Sequence, residues 1–360
     1  MRPASTASGL TVALAGGGTG GHVIPLLAVA HELRRRGHDA FFIGTRRGLE
    51  SQLVPAQGFP IEYIEIGAWN RAGWRQQLQT LAQLPGAILD SRRILTRRRV
   101  NALLSLGGYV AAPPLIAARW ARIPVAALEP NAMPGLVTRR LRRWIDRALL
   151  SFDETRQYLP GVACELTGLP VRAEFFEIPP RPPGQPRSLL VTGGSQGSRK
   201  LNEACRESWP HFAAAGWPVT FVHQYGRQHR DFRQAFEAAG VPGSAVEFIE
   251  DMPAAFRAAD LIICRSGAGA VAEVAAAGKP ALLVPFPFAA DDHQAKNAAA
   301  MERAGAASVV RDAALNGRRL FELVMGLSDA ELVAMGNAAR RFSRPDAAQR
   351  AAEILEELSQ

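Results

Sequence analysis

Short apolar runs alternate with longer amphipathic stretches along the first half of this 360-residue chain. The run Leu10–Ala15 meets a glycine cluster at Gly16–Gly21, and a one-faced helical pattern follows through Leu33. Further strand-like runs fall at 39–44, 61–66, 102–106, 124–127 and 147–151. Helical patterns lie between them near 76–95, 111–121 and 135–144. Strands separated by helices of this length predict βαβ units and a parallel sheet. The proline-dense stretch 178–186 (IPPRPPGQP) fits neither helix nor central strand, which predicts a linker or a loop near a domain boundary. The pattern then restarts with a strand at Ser188–Thr192, the turn Gly193–Gly197 and a helix, and strand runs recur at 219–223, 245–249, 260–264, 281–284 and 307–310. Residues 346–358 read as one more amphipathic helix. Each half opens strand, glycine-rich turn, helix, so the expected fold class is α/β with two Rossmann-like halves, ligand binding at the carboxyl ends of the strands.

Composition changes this picture little, and charge changes it more. An apolar fraction of 48% with 21% charged residues excludes a disordered or fibrous chain, and the length is comfortable for two cores. Cys164, Cys205 and Cys264 are far apart, without disulfide framework or zinc spacing, which fits a reducing compartment. No apolar run spans a bilayer and the start does not read as a signal peptide, so any membrane contact is expected to be peripheral. The net charge of +9 is unevenly placed: residues 1–170 hold 21 arginines against 11 acids, residues 171–360 hold 21 basic residues against 22 acids. The first half therefore faces something anionic, nucleic acid or lipid.

Three loops carry candidate chemistry. Gly16–His22 satisfies G-x-G-x-x-G between a strand and a helix, the dinucleotide fingerprint. The second strand, however, ends Phe42-Ile43-Gly44-Thr45 without the acid that would hold a ribose, which undercuts a nicotinamide dehydrogenase. His22 falls at a helix N-terminus, where a neutral imidazole able to take a proton is favoured; a capping or packing role is the plain alternative. Gly193–Ser198 is the corresponding loop of the second half, a phosphate or sugar-hydroxyl site or simply a tight turn. Arg265–Glu273 (RSGAGAVAE) opens a helix with small residues whose amides can hold a diphosphate, with Glu273 a turn further in, suited to two ribose hydroxyls. The loop Pro285–Gln294 presents Asp, His and Gln to sugar hydroxyls; Asp291-Asp292-His293 as a metal site is a weak signal, and the chain has no D-x-D.

These motifs together resemble the peptidoglycan N-acetylglucosaminyltransferases that convert lipid I to lipid II, the MurG family. The residues carrying the resemblance are Gly17–His22, Gly107-Gly108-Tyr109, Glu129-Pro130-Asn131 with Pro134-Gly135-Leu136, Gly168–Arg172, Gly193–Gly197, Cys264–Ala268 with Glu273, and Asp292-His293-Gln294 with Asn297. The resemblance covers almost the whole chain. It implies a GT-B fold, two Rossmann-like domains facing a central cleft: 8–167 facing acceptor and membrane, 168–343 binding the UDP sugar, and a helix at about 344–360 packing back on the first. It also implies inverting, metal-independent transfer of N-acetylglucosamine from its UDP donor to the 4-hydroxyl of undecaprenyl-diphospho-muramoyl-pentapeptide in peptidoglycan synthesis, with no cofactor. In that family's pattern His22 is the base, and Tyr109, Glu129 and Asn131, with Thr19, line the acceptor side. Thr19, Gly20, Gly21, Arg172, Ser195, Ser266, Ala268, Glu273, His293 and Gln294 serve the donor. Leu128 and Pro130 stand where many members have His and Gln, which bears on acceptor contact, and Gly269 stands where Leu or Thr is frequent.

The basic half then points to an anionic membrane surface. Apolar Trp69, Trp74, Leu78, Leu81, Leu84, Ile88, Leu89 and Ile94 are mixed with Arg71, Arg75, Arg92, Arg93 and Arg97–Arg99, and Arg139, Arg140, Arg142 and Arg143 form a second group. This suits peripheral attachment at the cytoplasmic face of the cell membrane. The alternative makes Leu81, Leu84 and Ile88 core positions and the arginines a solvated face. No nucleic-acid recognition motif accompanies the charge. Partners expected are UDP-N-acetylglucosamine, lipid I and anionic lipid, with cell-wall synthesis proteins as further candidates. The rival functions are another GT-B glycolipid transferase and a non-catalytic membrane-bound UDP-sugar-binding protein.

Overall fold

A computed structural model describes residues 9–18, 20–67, 74–180, 188–194, 196–227, 229 and 231–360, with 74–79 as backbone only. The chain divides into two units, Met1–Val171 with Asp346–Gln360, and Arg172–Pro345.

Seven strands build the first sheet: β1 (Thr11–Ala15), β2 (Asp39–Gly44), β3 (Ile61–Tyr63), β4 (Ala102–Ser105), β5 (Val125–Glu129), β6 (Arg147–Leu150) and β7 (Ala163–Leu166). Their order is β3-β2-β1-β4-β5-β6-β7, every pair parallel, with Ala13 of β1 beside Phe41 and Leu103. Val12 to Ala15 have no exposed surface, as a parallel strand covered on both faces requires, and this explains an apolar run without polar alternation. Ile88, Ile94 and Leu95 of the helix Trp74–Arg97 join Phe41, Ile43, Leu103 and Leu115 in one core. The helix Ala347–Leu358 lies against the helix Gly20–Arg35 of this unit. Charge pins it there: Arg36 reaches Glu353 and Glu356 at 3.2 Å each, and Arg350 reaches Glu165 at 3.0 Å.

The second sheet uses β8 (Ser188–Thr192), β9 (Thr220–Gln224), β10 (Gly243–Val246), β11 (Leu261–Cys264), β12 (Ala281–Leu283) and β13 (Ser308–Val309), all parallel, in the order β10-β9-β8-β11-β12-β13. Its core gathers Leu189, Val191, Phe212, Phe221, Leu261 and Ile263. In both sheets the order reverses beside the opening strand, between β1 and β4 and between β8 and β11. Connections leave those strands in opposite directions, which opens a crevice at their carboxyl ends.

The expected elements are present with local corrections. The run 61–66 is strand only to Tyr63, because Tyr63 pairs with Gly44, where β2 ends and leaves no partner beyond. The expected helix 135–144 breaks into Leu136–Arg140 and a 3-10 turn, Arg142–Trp144, with Leu141 out of helical geometry between them. The edge strand β7 was not signalled, being four half-exposed or exposed residues with one acid. Residues 181–186 of the proline-rich stretch lie outside the described residues. Among the described residues no helix is long and apolar enough to cross a membrane.

Candidate active site

β1 delivers the chain into Gly16–Gly18, and a buried carboxylate explains Gly17 there, together with Gly44 and Gly48 nearby. A Cβ on Gly17 would lie 2.4 Å from Glu50 Oε1, one on Gly44 2.6 Å from Glu50 Cγ, and one on Gly48 2.0 Å from Glu50 Oε2. Glycine at all three positions is what lets Glu50 be fully buried. Its Oε1 accepts the Thr45 N–H at 2.9 Å and the Thr45 hydroxyl at 2.8 Å, and its Oε2 accepts the Gly18 N–H at 2.8 Å. The acid absent from the end of β2 thus arrives from the start of the next helix, Glu50–Ala56, and holds the loop instead of a ribose.

His22 is the third residue of the helix Gly20–Arg35, half-buried, in a first turn without acids. Its Nδ1 lies 3.2 Å from Gly17 O. A carbonyl only accepts, so Nδ1 carries the hydrogen and the neutral ring keeps its lone pair on Nε2. Gly107 and Gly108, after β4, take φ of +70° and +75°, and a Cβ on Gly108 would come within 3.8 Å of His22 Cε1. Tyr109 follows, its hydroxyl 3.9 Å from where a Gly18 Cβ would stand. Burial raises the Tyr109 hydroxyl pKa, the Glu50 charge adds to this, and Arg47 opposes it. Gly20 and Gly21 open the same helix; Thr19 lies outside the described residues.

Glu129 ends β5 with 2% of its surface exposed. Its carboxylate accepts the N–H groups of Asn131 at 3.3 Å and Gly135 at 3.1 Å, and also a Thr138 side-chain hydrogen bond. Burial outweighs these bonds and pushes the carboxyl up to about 7. Glu129 thereby shapes the loop 130–135, on which Asn131 is half-buried with its carbonyl accepting the Thr155 hydroxyl at 2.9 Å.

In the second unit the crevice is framed by two loops. After β8, Gly194 N–H donates to Thr192 Oγ1 at 3.1 Å, and Gln224 Nε2 donates to Gly194 O at 2.9 Å. A Cβ on Gly197 would meet Tyr225 O at 2.0 Å, so this turn and the one after β9 pack backbone on backbone. Ser195 lies outside the described residues. After β11, Arg265 donates to Val284 O at 3.1 Å, to Pro285 O at 3.2 Å and to Ser198 Oγ at 2.7 Å, and pairs with Asp312. It ties three loops together, a role its place in the motif did not reveal. Ser266, fully buried, donates its hydroxyl to Gln294 O at 2.8 Å and its carbonyl accepts Asn297 Nδ2 at 3.2 Å.

Gly267 then caps the helix Ala268–Ala277 without a side-chain hydrogen bond, so the first-turn amides around half-buried Ala268 remain available to an anion. Glu273 is half-buried; the atoms packed round it push its carboxyl up to about 7, with Arg172 pulling the other way. Arg172 itself is exposed, its guanidinium 5.2 Å from the Phe175 ring centre. Gln294 Oε1 accepts the Phe286 N–H at 3.0 Å, fixing the proline-stiffened loop, and His293 Nδ1 donates to Ala290 O at 2.7 Å. Asp291 and Asp292, before it, both sit in the left-handed region at φ +53° and +52°. Among the described residues no three His, Cys, Asp or Glu side chains gather as metal ligands.

One further polar cluster looks chemical but is not. Cys205 donates to His223 Nδ1 at 3.2 Å, whose Nε2 donates to Asn202 Oδ1 at 2.8 Å. All three are buried; burial pushes the thiol up to about 12 and the imidazole down to about 3, so both stay neutral and packed.

Residues 12–150 match the glycosyltransferase family 28 N-terminal domain and residues 188–351 the family 28 C-terminal domain. With the two doubly wound sheets, these define the class, a GT-B glycosyltransferase of α/β architecture. The UDP-N-acetylglucosamine–N-acetylmuramyl-(pentapeptide) pyrophosphoryl-undecaprenol N-acetylglucosamine transferase of Solibacter usitatus is 55% identical over 347 residues, 96% of this chain and 95% of that protein. The transferase of the same name from Anaeromyxobacter sp. is 41% identical over 353 residues, covering 96% and 92%. The crystal structure of Acinetobacter baumannii MurG superposes with a TM-score of 0.82 at 31% identity, covering 97% of this chain and 99% of that one. The chain belongs to the MurG family of N-acetylglucosamine transferases.

Proposed function

We propose that this chain transfers N-acetylglucosamine from UDP-N-acetylglucosamine to the 4-hydroxyl of lipid-linked N-acetylmuramoyl-pentapeptide, forming lipid II for peptidoglycan. The observation that carries this reading is 55% identity to a transferase of that name along 96% of the chain. The geometry supplies groups suited to each step. The hydroxyl oxygen attacks the anomeric carbon in line, the bond to the diphosphate oxygen breaks, and the anomeric configuration inverts. His22 Nε2 takes the hydroxyl proton, and UDP leaves with the electron pair. The open amides at Gly267–Ala268 and the Arg172 guanidinium stabilise the departing diphosphate. Glu273 accepts the ribose hydroxyls, while His293 and Gln294, with Thr19, Gly20, Gly21 and Ser195, serve the rest of the donor. Tyr109 and Asn131 contact the acceptor, and Glu129 acts by shaping the loop that carries Asn131. No step calls for a metal or cofactor.

Attachment to the cytoplasmic face of an anionic membrane belongs to the same proposal. Leu81 and Leu89 are each 49% exposed, eight residues apart and so on one face of the helix Trp74–Arg97, with Arg92 and Arg93 exposed beyond them. Ile88 is a core residue and Leu84 half-buried, so the apolar positions of this helix divide between core and surface. Trp69 and Arg71, and the side chains of Trp74, Arg75 and Leu78, lie outside the described residues. Leu136, 46% exposed, opens the short helix bearing Arg139 and Arg140.

The decisive experiment is transfer of radiolabelled N-acetylglucosamine from its UDP donor to lipid I in detergent micelles with EDTA present. Labelled lipid II is the expected product. A protein that binds UDP yet labels only a different glycolipid would move the acceptor assignment.

A further inference from the structure

We propose that Glu50 is a positioning residue that orients and strengthens His22 through the single peptide unit joining Gly17 to Gly18; this rests on the reading of His22 as the base. Three observations meet on that peptide. Its N–H, from Gly18, donates to Glu50 Oε2 at 2.8 Å. Its carbonyl, from Gly17, accepts His22 Nδ1–H at 3.2 Å. Its conformation is open to glycine alone, because a Cβ on Gly17 would meet the carboxylate and Gly18 takes φ +89°. Carboxylate, peptide and imidazole therefore stand in series.

A carboxylate on the N–H side polarises an amide and loads negative charge on its oxygen, which then accepts more strongly from the imidazole. The effect on His22 is the one a directly bonded carboxylate gives a catalytic histidine: one tautomer is fixed, and the imidazolium formed when Nε2 takes the acceptor proton is stabilised. No proton moves along the series; the Nδ1 hydrogen stays on His22. Thr45 holds the other carboxylate oxygen with two hydrogen bonds, so the charge cannot swing away from the loop. Among the described residues, Tyr109 stands across the Gly18 backbone from this region, and Arg47 acts with Glu50 on the Tyr109 hydroxyl.

Glu50→Gln is the test, since the amide fits the same cage but removes the charge and turns an N–H toward either Gly18 or Thr45. The expected result is a kcat lowered tenfold to about a hundredfold, the scale of losing a partner behind a reacting group. UDP affinity and the donor KM stay within about twofold, because a group acting only on the base affects turnover rather than donor binding. The acidic limb of the kcat–pH profile moves to lower pH, and nitrogen NMR of labelled His22 shows the same displacement with a weaker preference for the Nδ1–H form. Lower activity with the limb and the His22 titration unmoved would reduce Glu50 to a loop brace and overturn the proposal. Should Glu50→Gln not fold, the wild-type protein decides: the Gly18 amide proton shift must follow the His22 titration, and an indifferent shift overturns the relay. His22→Ala with near-normal turnover would instead defeat the reading of His22 as base, while the NMR coupling still reports on the relay.

Discussion

Burial holds the carboxyls of both Glu129 and Glu273 at about 7, but the two face different tasks. For Glu273, the proposed ribose-binding group, the ionised form is the one suited to accept two hydroxyls. UDP affinity, followed by calorimetry, is therefore expected to fall as pH drops from 8 to 6. Glu273→Gln should lower affinity about tenfold to a hundredfold, the worth of hydrogen bonds to a charged group, and flatten that dependence. For Glu129 the consequence is stability. Its folded-state pKa is raised, so its contribution is complete below the unfolded value near 4.5 and is lost as pH rises through 7. The urea unfolding free energy of wild type relative to Glu129→Gln should decline by of order 3 kcal/mol between pH 4 and 8. Neither behaviour was legible in the sequence, which gave the residue types but not their surroundings. Glu50 was less legible still: a ribose-binding acid is sought at the end of β2, whereas this one comes from the helix after it and turns back on the loop.

The helix Ala268–Ala277 has a distinct device at each end. Its start is left open by Gly267; its end is closed by Arg340, whose guanidinium donates to Ala277 O at 2.9 Å and to Ala276 O, and across to Phe176 O at 3.0 Å and Ile178 O at 2.6 Å. Gly278, at φ +61°, ends the helix in the left-handed region, and a Cβ there would press on Arg340 Nε at 2.6 Å. The guanidinium thus joins the helix bearing Glu273 to the segment that follows Arg172. Arg340→Met is expected to leave four carbonyls short of a donor, lower the melting temperature by several degrees and weaken UDP binding several-fold. Normal UDP affinity in a destabilised protein would confine Arg340 to stability. The start of this helix was readable, since small residues after an apolar strand announce it. Its end was not, because Arg340 lies 62 residues beyond Gly278 and only the fold brings them together.

At the scale of the whole molecule, the proposed membrane attachment joins the positive excess of residues 1–170 to the exposed leucines of the helix Trp74–Arg97. Cosedimentation with vesicles containing anionic lipid should weaken more than tenfold in the double variant Leu81→Gln, Leu89→Gln, given roughly 1.5–3 kcal/mol per buried leucine. Binding of wild type should also fall with added salt. Unchanged binding would return these leucines to an ordinary surface. Much of the two-sheet architecture was readable because strands such as β1, β5 and β8 are apolar runs closed directly by Gly16, Pro130 and Gly193, whereas edge strands and exposed faces depend on partners that a linear pattern does not display. One consequence follows from the helix Ala347–Leu358, which belongs to the first unit although residues 172–345 precede it. On the ribosome the earlier unit must wait, Arg36 without Glu353 and Glu356 and Arg147 without Glu357, until every residue of the later unit has been synthesised. The half of the protein begun first is the half finished last.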